Sequence, residues 1–255
     1  MRDLPDGFRR LPIAHRGLHD VRDGRPENSV AAVRAAIAAG YGIEIDLQFS
    51  SDARAMVFHD YDLARLTGIK GPIRQRTAQD LTAMPLLGSA EGIPTFAALL
   101  DLVAGRVPLL VELKDQHGQM GETDGQLEQA VAEDLRGYDG PVALMSFNPH
   151  SVAKLRDLAP DVPRGLVTCR YRRIDWPLLK RGVRHRLRDI PDYDRVGASF
   201  ISHSAKGLNQ PRVTDLKADG AAVLCWTIRS ATEEAQARKV ADNITFEGYL
   251  PDIPS

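Results

Sequence analysis

The chain has 255 residues, 43% of them hydrophobic, and a formal net charge of -1. That length suits a (β/α)8 barrel of roughly 250 residues, and the near-neutral charge supplies no global basic field, so nucleic acid is not an expected partner. No apolar run reaches the length of a signal peptide or the ~20 residues of a membrane helix, so a cytoplasmic location and no stable membrane insertion are expected.

In chain order, an apolar run at 11–15 predicts a strand that ends on His15-Arg16-Gly17. An alanine-rich helix follows at 29–39, with Asn28 placed as its N-cap. Strand two at 42–48 carries Glu44-Ile45-Asp46. Turn residues Ser50-Ser51-Asp52 and a second short apolar run at 55–59 predict a small β-hairpin at the rim, folding His59 back over strand two. Further strands are expected at 107–114, 142–147, 164–168, 199–202, 221–227 and 244–247. Helical spacing fills the gaps at 95–103, 124–135, 149–158, 211–218 and 231–240. Short, nearly continuous apolar strands alternating with helices imply a parallel sheet, and eight of them suggest one closed (β/α)8 TIM-barrel domain over 1–255.

The segment 168–196 has no clean period and reads as an irregular excursion. It is locally basic, which fits either a solvated surface or an electropositive rim for an anionic substrate. Cys169 and Cys225 adjoin apolar runs and are expected to be buried free thiols. His19 is near the His15-Arg16-Gly17 motif in sequence but has no strand logic, and His117, His150, His185 and His203 read as loop or rim residues.

In a parallel barrel, chemistry sits at the carboxyl ends of the strands. His15, Arg16, Glu44, Asp46, Glu112, Lys114, Trp226 and Glu247 all fall there. Ile43, Ile45 and Leu47 form the opposite face of strand two, so Glu44 and Asp46 point towards the barrel axis. Inward acids are costly unless a cation accompanies them. Three carboxylates, with Glu112 completing the set, point to a hard divalent metal, Mg²⁺ or Ca²⁺. His15 and His59 can move protons at neutral pH. Arg16 offers a planar fork to a phosphate. Lys114 either meets a phosphate oxygen or forms a structural pair with the acids, and Trp226 is either a pocket wall or a core residue.

At these residues the chain resembles the glycerophosphodiester phosphodiesterase family. The matching text is His15-Arg16-Gly17, Pro26-Glu27-Asn28-Ser29, Gly42-Ile43-Glu44-Ile45-Asp46-Leu47, Val57-Phe58-His59-Asp60, Arg65-Leu66-Thr67-Gly68, Val111-Glu112-Leu113-Lys114 and Trp226-Thr227. The match is dense before residue 115 and sparse after 148. The resemblance implies a metal-binding barrel that hydrolyses a small glycerophosphodiester to glycerol 3-phosphate and an alcohol. By position, it makes Glu44, Asp46 and Glu112 metal ligands, His15 and His59 the acid/base pair, Arg16 and Lys114 phosphate contacts, and Glu27 a support for Arg16 or a ligand. The chain departs from the family where an Asn commonly follows the strand-seven Trp-Thr, here Arg229. It departs again where the last strand usually ends in Thr-Asp-x-Pro, here Thr245-Phe246-Glu247-Gly248.

Two other functions compete. A lysophospholipase D or sphingomyelinase D-like enzyme on the same barrel would need an apolar surface near the mouth, and the sequence displays no amphipathic membrane-docking helix. A catalytically silent binding barrel would be expected to have lost one of His15, Glu44, Asp46, His59 or Glu112, and all five are present.

Overall fold

The computed structural model describes residues 3–254. The chain opens with α1 (Gly7–Arg10), β1 (Ile13–Ala14), α2 (Val30–Ala39), β2 (Gly42–Phe49) and β3 (Ala55–Val57). Next come α3 (Ala64–Thr67), α4 (Ala78–Thr82), α5 (Phe96–Val103), β4 (Leu109–Leu113), α6 (Gln126–Asp134) and β5 (Val142–Ser146). The remainder is α7 (Pro149–Leu158), β6 (Arg164–Thr168), α8 (Arg181–Arg188), β7 (Phe200–Ser204), α9 (Pro211–Ala218), β8 (Ala222–Ile228), α10 (Ala231–Ala237) and β9 (Asn243–Phe246). Every strand except β3 runs parallel to its neighbours, and β1 pairs with both β2 and β9, so the parallel sheet closes into an eight-stranded barrel. β3 is antiparallel to β2, with Leu47 opposite Val57, as a hairpin requires.

The two faces of each strand explain the closure. Ile43, Ile45 and Leu47 join Val33, Ala36, Phe96 and Leu99 in the layer between sheet and helices. A second apolar cluster fills the interior: Ile13, Leu110, Ala143, Met145, Val167, Phe200, Ala222 and Leu224. Leu4 and Phe8 join it, so the amino-terminal segment packs against the floor of the barrel. Asn243 of β9 fastens that segment by donating from Nδ2 to the Phe8 and Leu11 carbonyls at 2.8 and 2.6 Å. Gly165 is required here, because a Cβ would lie 2.4 Å from the Phe200 ring.

Several expectations need correction. Ser29, not Asn28, caps α2, its side chain accepting from Ala32 N at 3.1 Å. β1 is shorter than expected because His15 turns out of the strand and Arg16 and Gly17 adopt positive φ of 55° and 77°. The rim insertion is more than a hairpin. It includes α3 and α4 and has its own core of Met56, Phe58, Leu63, Ile73, Leu81 and Ile93. The basic excursion contains a helix, α8, whose Val183 and Leu187 pack inwards while its cations face out. His203 is a fully buried residue of β7, not a rim residue. Both cysteines are free, with Cys225 buried and Cys169 half-buried. Among the described residues no helix is long and apolar enough to cross a membrane.

Candidate active site

The parallel register sets two acids side by side. Asp46 of β2 is the Cα partner of Glu112 on β4, and Glu44 lies two residues earlier on the same inward face. One oxygen from each of the three lies within 4.8 Å of the others, and all three residues are buried. Two cations reach this cluster. Lys114 Nζ sits 2.6 Å from both Asp46 Oδ1 and Glu112 Oε1. Arg16 Nε lies 3.0 Å from Asp46 Oδ2, and its backbone N–H donates to Glu44 Oε2 at 3.0 Å.

Charge explains how the cluster divides its protons. Burial alone would raise Asp46, but Lys114 and Arg16 outweigh it and hold Asp46 well below the usual carboxylate range. Burial and the neighbouring charges of Asp46 and Glu112 push Glu44 far up, since no cation is dedicated to it. Glu112 is also raised by burial, against the pull of Lys114. Burial opposes the Lys114 ammonium, yet the two carboxylates raise it above its ordinary value. Three buried acids thus share two cations, and Glu44, with no cation of its own, is held towards its protonated form. An all-oxygen set with one cation too few fits a hard divalent cation held by Glu44, Asp46 and Glu112.

Asn28 belongs to the site and not to the N-cap of α2. Its Nδ2 donates to Asp46 Oδ2 at 3.0 Å, and its Oδ1 accepts from Asp46 N at 3.2 Å. The positive φ of 59° at Asn28 allows this, and Asn tolerates that region better than most residues. Glu27 accepts from Arg16 Nη1 at 2.7 Å and pairs with Arg65 Nη2 at 2.8 Å, so it braces Arg16 from behind.

Each of the two candidate proton carriers has a carboxylate behind it. His15 Nδ1 lies 2.6 Å from Glu247 Oε2, and His59 Nδ1 lies 2.7 Å from Asp60 Oδ1. The hydrogen bond from His15, with His19 close by, holds Glu247 strongly acidic, and Arg229 pairs with its other oxygen at 2.6 Å. Burial would raise Asp60, but the bonds from His59 and Arg65 hold it low. An ionised carboxylate keeps the proton on Nδ1 and leaves Nε2 free. Burial, first among the causes, pulls the His15 pKa down. The two departures from the family pattern, Arg229 and Glu247, thus form one ion pair behind His15. His19, read as a residue without a role, approaches Glu247 Oε2 at 3.7 Å.

His15, Arg16, Glu44, Asp46, His59, Glu112, Lys114 and Trp226 line one cavity of about 220 Å³. Trp226 stands in its wall, donating from Nε1 to Ser202 O at 2.9 Å, with its ring 5.6 Å from that of Phe147. No local pattern marks a role for Glu247, because its bond to His15 joins residues 232 positions apart.

The sequence pattern of the glycerophosphoryl diester phosphodiesterase family matches residues 15–244, and the chain belongs to that family. YhdW of Bacillus subtilis (strain 168) is 27% identical over 251 residues, covering 95% of this chain and 94% of that protein. A glycerophosphodiester phosphodiesterase of the same organism is 26% identical over 267 residues, covering 95% of this chain and 84% of its own length. The structure of an Oleispira antarctica phosphodiesterase, in complex with its product sn-glycerol 3-phosphate, superposes with a TM-score of 0.75 at 24% identity, covering 93% of both chains.

Proposed function

We propose that the chain hydrolyses glycerophosphodiesters to glycerol 3-phosphate and an alcohol, with His15 and His59 as the acid/base pair. The observation that carries this reading is the pairing of each histidine, through Nδ1, with a carboxylate, while both rings line the cavity that holds Glu44, Asp46 and Glu112. Bound by those three carboxylates, Mg²⁺ or Ca²⁺ would add positive charge beside the phosphoryl group and lower the pKa of a substrate hydroxyl.

The rest of the mechanism belongs to side chains. Nε2 of one histidine takes the proton of the glycerol 2-hydroxyl as that oxygen attacks phosphorus. Arg16 and Lys114 stabilise the charge developing on the phosphoryl oxygens. Nε2 of the other histidine gives its proton to the departing alcohol oxygen as the P–O bond breaks. A cyclic phosphate and the free alcohol result. Water then opens the ring with the two histidines in exchanged roles. Trp226 and Phe147 exclude bulk water from one side of the reacting centre.

The direct test is release of glycerol 3-phosphate from glycerophosphocholine, glycerophosphoethanolamine and glycerophosphoglycerol, with and without EDTA. Turnover that EDTA abolishes and Mg²⁺ or Ca²⁺ restores is expected. No turnover of any diester would reject the reading, and EDTA-resistant turnover would remove the metal from it. A 2-deoxy analogue tests the nucleophile. It should inhibit yet turn over more slowly by a factor of roughly 10⁵ or more, the scale of an intramolecular advantage. Turnover like the parent's would instead make water the attacking group.

A further inference from the structure

Outside the catalytic cavity, residues 170–195 hold a dense group of charges: nine Lys or Arg against four Asp. Three of the cations are paired, Arg172 with Asp175 at 2.8 Å and both Arg186 and Arg195 with Asp192 at 2.7 Å. Arg173, Lys180 and Arg181 are exposed, and none is in an ion pair with a described residue. Amid them stand Ile174 and Leu178, exposed at 82% and 88%, the two most exposed large apolar side chains among the described residues.

This is a built loop rather than a loose tip. Tyr171 and Leu179 are buried with Met120 and Leu187, and Trp176 packs against them. The Trp176 ring lies 5.0 Å from Phe147, a residue of the catalytic cavity wall, and its Nε1 donates to Cys169 Sγ at 3.3 Å. Asp175 N and Trp176 N both donate to the Arg172 carbonyl at 3.0 Å. One set of side chains anchors the loop while the intervening aliphatics are held out in water. α8 follows with an inward apolar edge and an outward cationic one. The apolar edge of α8 is spent on the protein, so what faces outward is the pair of projecting loop aliphatics among unpaired cations, a combination suited to an anionic lipid interface.

We infer that this face, loop 172–180 with α8, docks on an anionic lipid surface. Ile174 and Leu178 enter between the head groups, and Arg173, Lys180 and Arg181 meet the lipid phosphates. Nucleic acid would use the cations but not the projecting aliphatics, and an apolar protein partner would use the aliphatics but not the surplus charge. The loop leaves the carboxyl end of β6, so docking brings the catalytic mouth close to the bilayer. The inference does not rest on the diesterase reading, and its test needs no turnover.

The test is cosedimentation of the full chain with vesicles of about 30 mol% phosphatidylglycerol in phosphatidylcholine, at about 0.1 M salt. Retention by these vesicles and little by phosphatidylcholine alone is expected. Two double variants, Ile174→Asp with Leu178→Asp and Arg173→Glu with Lys180→Glu, should each lower the partition coefficient at least about tenfold, with the melting temperature unchanged. Failure of the wild-type chain to sediment, equal retention by phosphatidylcholine vesicles, or wild-type partitioning by both variants would overturn the inference.

Discussion

His15 and His203 are histidines near the carboxyl ends of barrel strands, His15 half-buried and His203 fully buried, and desolvation lowers the pKa of both. Their partners differ. His203 has both ring nitrogens engaged by neutral groups, Nδ1 with Thr168 Oγ1 at 2.7 Å and Nε2 with Gln210 Nε2 at 2.8 Å. Its ring is held between Thr168 at the end of β6 and Gln210 just before α9, with no free nitrogen to offer a substrate. His15 spends only Nδ1 on a partner, and that partner is a carboxylate. Its Nε2 stays on the cavity side, 4.0 Å from Glu44 Oε2. A buried imidazole becomes a proton carrier when one nitrogen is fixed by a charge and the other is left open. With both nitrogens satisfied it braces the wall.

Replacing the rings tests this contrast with the largest expected effect. His15→Ala and His59→Ala should each lower kcat by ~10²–10⁴-fold with metal affinity largely retained, whereas His203→Gln should change kcat by less than about threefold. Steady-state kinetics with metal titration would measure both, and equal losses at all three positions would erase the distinction.

The acid cluster supplies the next effect. Lys114→Met removes the cation shared by Asp46 and Glu112 and should destabilise the metal-free protein by about 3–5 kcal/mol. Added Mg²⁺ or Ca²⁺ should then raise the melting temperature of the variant more than that of the wild type. An equal rise in both would take Lys114 out of the charge balance.

His203 itself gives the smallest effect, one of pH. Burial lowers its pKa in the folded chain to about 4, while the unfolded value is about 6.5. The folded state therefore refuses a proton that the unfolded state accepts. Its contribution is intact above pH ~6.5 and is lost as the pH falls towards about 4, about 3 kcal/mol in total. Urea denaturation at the two ends of that window should show His203→Gln losing less stability than the wild type by that amount. An identical pH dependence would show that His203 accepts its proton without cost.

The strands were legible in the sequence because both faces of each are apolar or chemically marked, and the carboxyl ends of β1, β2 and β4 carried motifs dense enough to define the cavity. What the sequence hid has identifiable causes. α8 was missed because RGVRHRLR contains two large aliphatics, Val183 and Leu187, in a row of cations, too few for a hydrophobic period. Asn28 and Ser29 both suit an N-cap, and only the approach of β2 shows that Asn28 is taken by Asp46. His203 looked peripheral because its partners Thr168 and Gln210 come from separate elements. The Glu247 contact depends on barrel closure, which no local pattern encodes.

That closure has a consequence for when the protein can acquire activity. β1 is two residues long and takes its pairing from β2 on one side and β9 on the other. His15 N donates to the Phe246 carbonyl at 2.9 Å, and the His15 ring is oriented by Glu247. An early residue is thus finished by a late one. During synthesis, a nascent chain could fold β2, β3 and β4 and assemble all three acids while His15 still lacked both its backbone acceptor and its carboxylate. Such contacts of long sequence separation form late in folding. On the proposed mechanism, proton transfer by His15 begins only when β9 has left the ribosome and zipped against β1, so the onset of turnover would time the last step of barrel assembly.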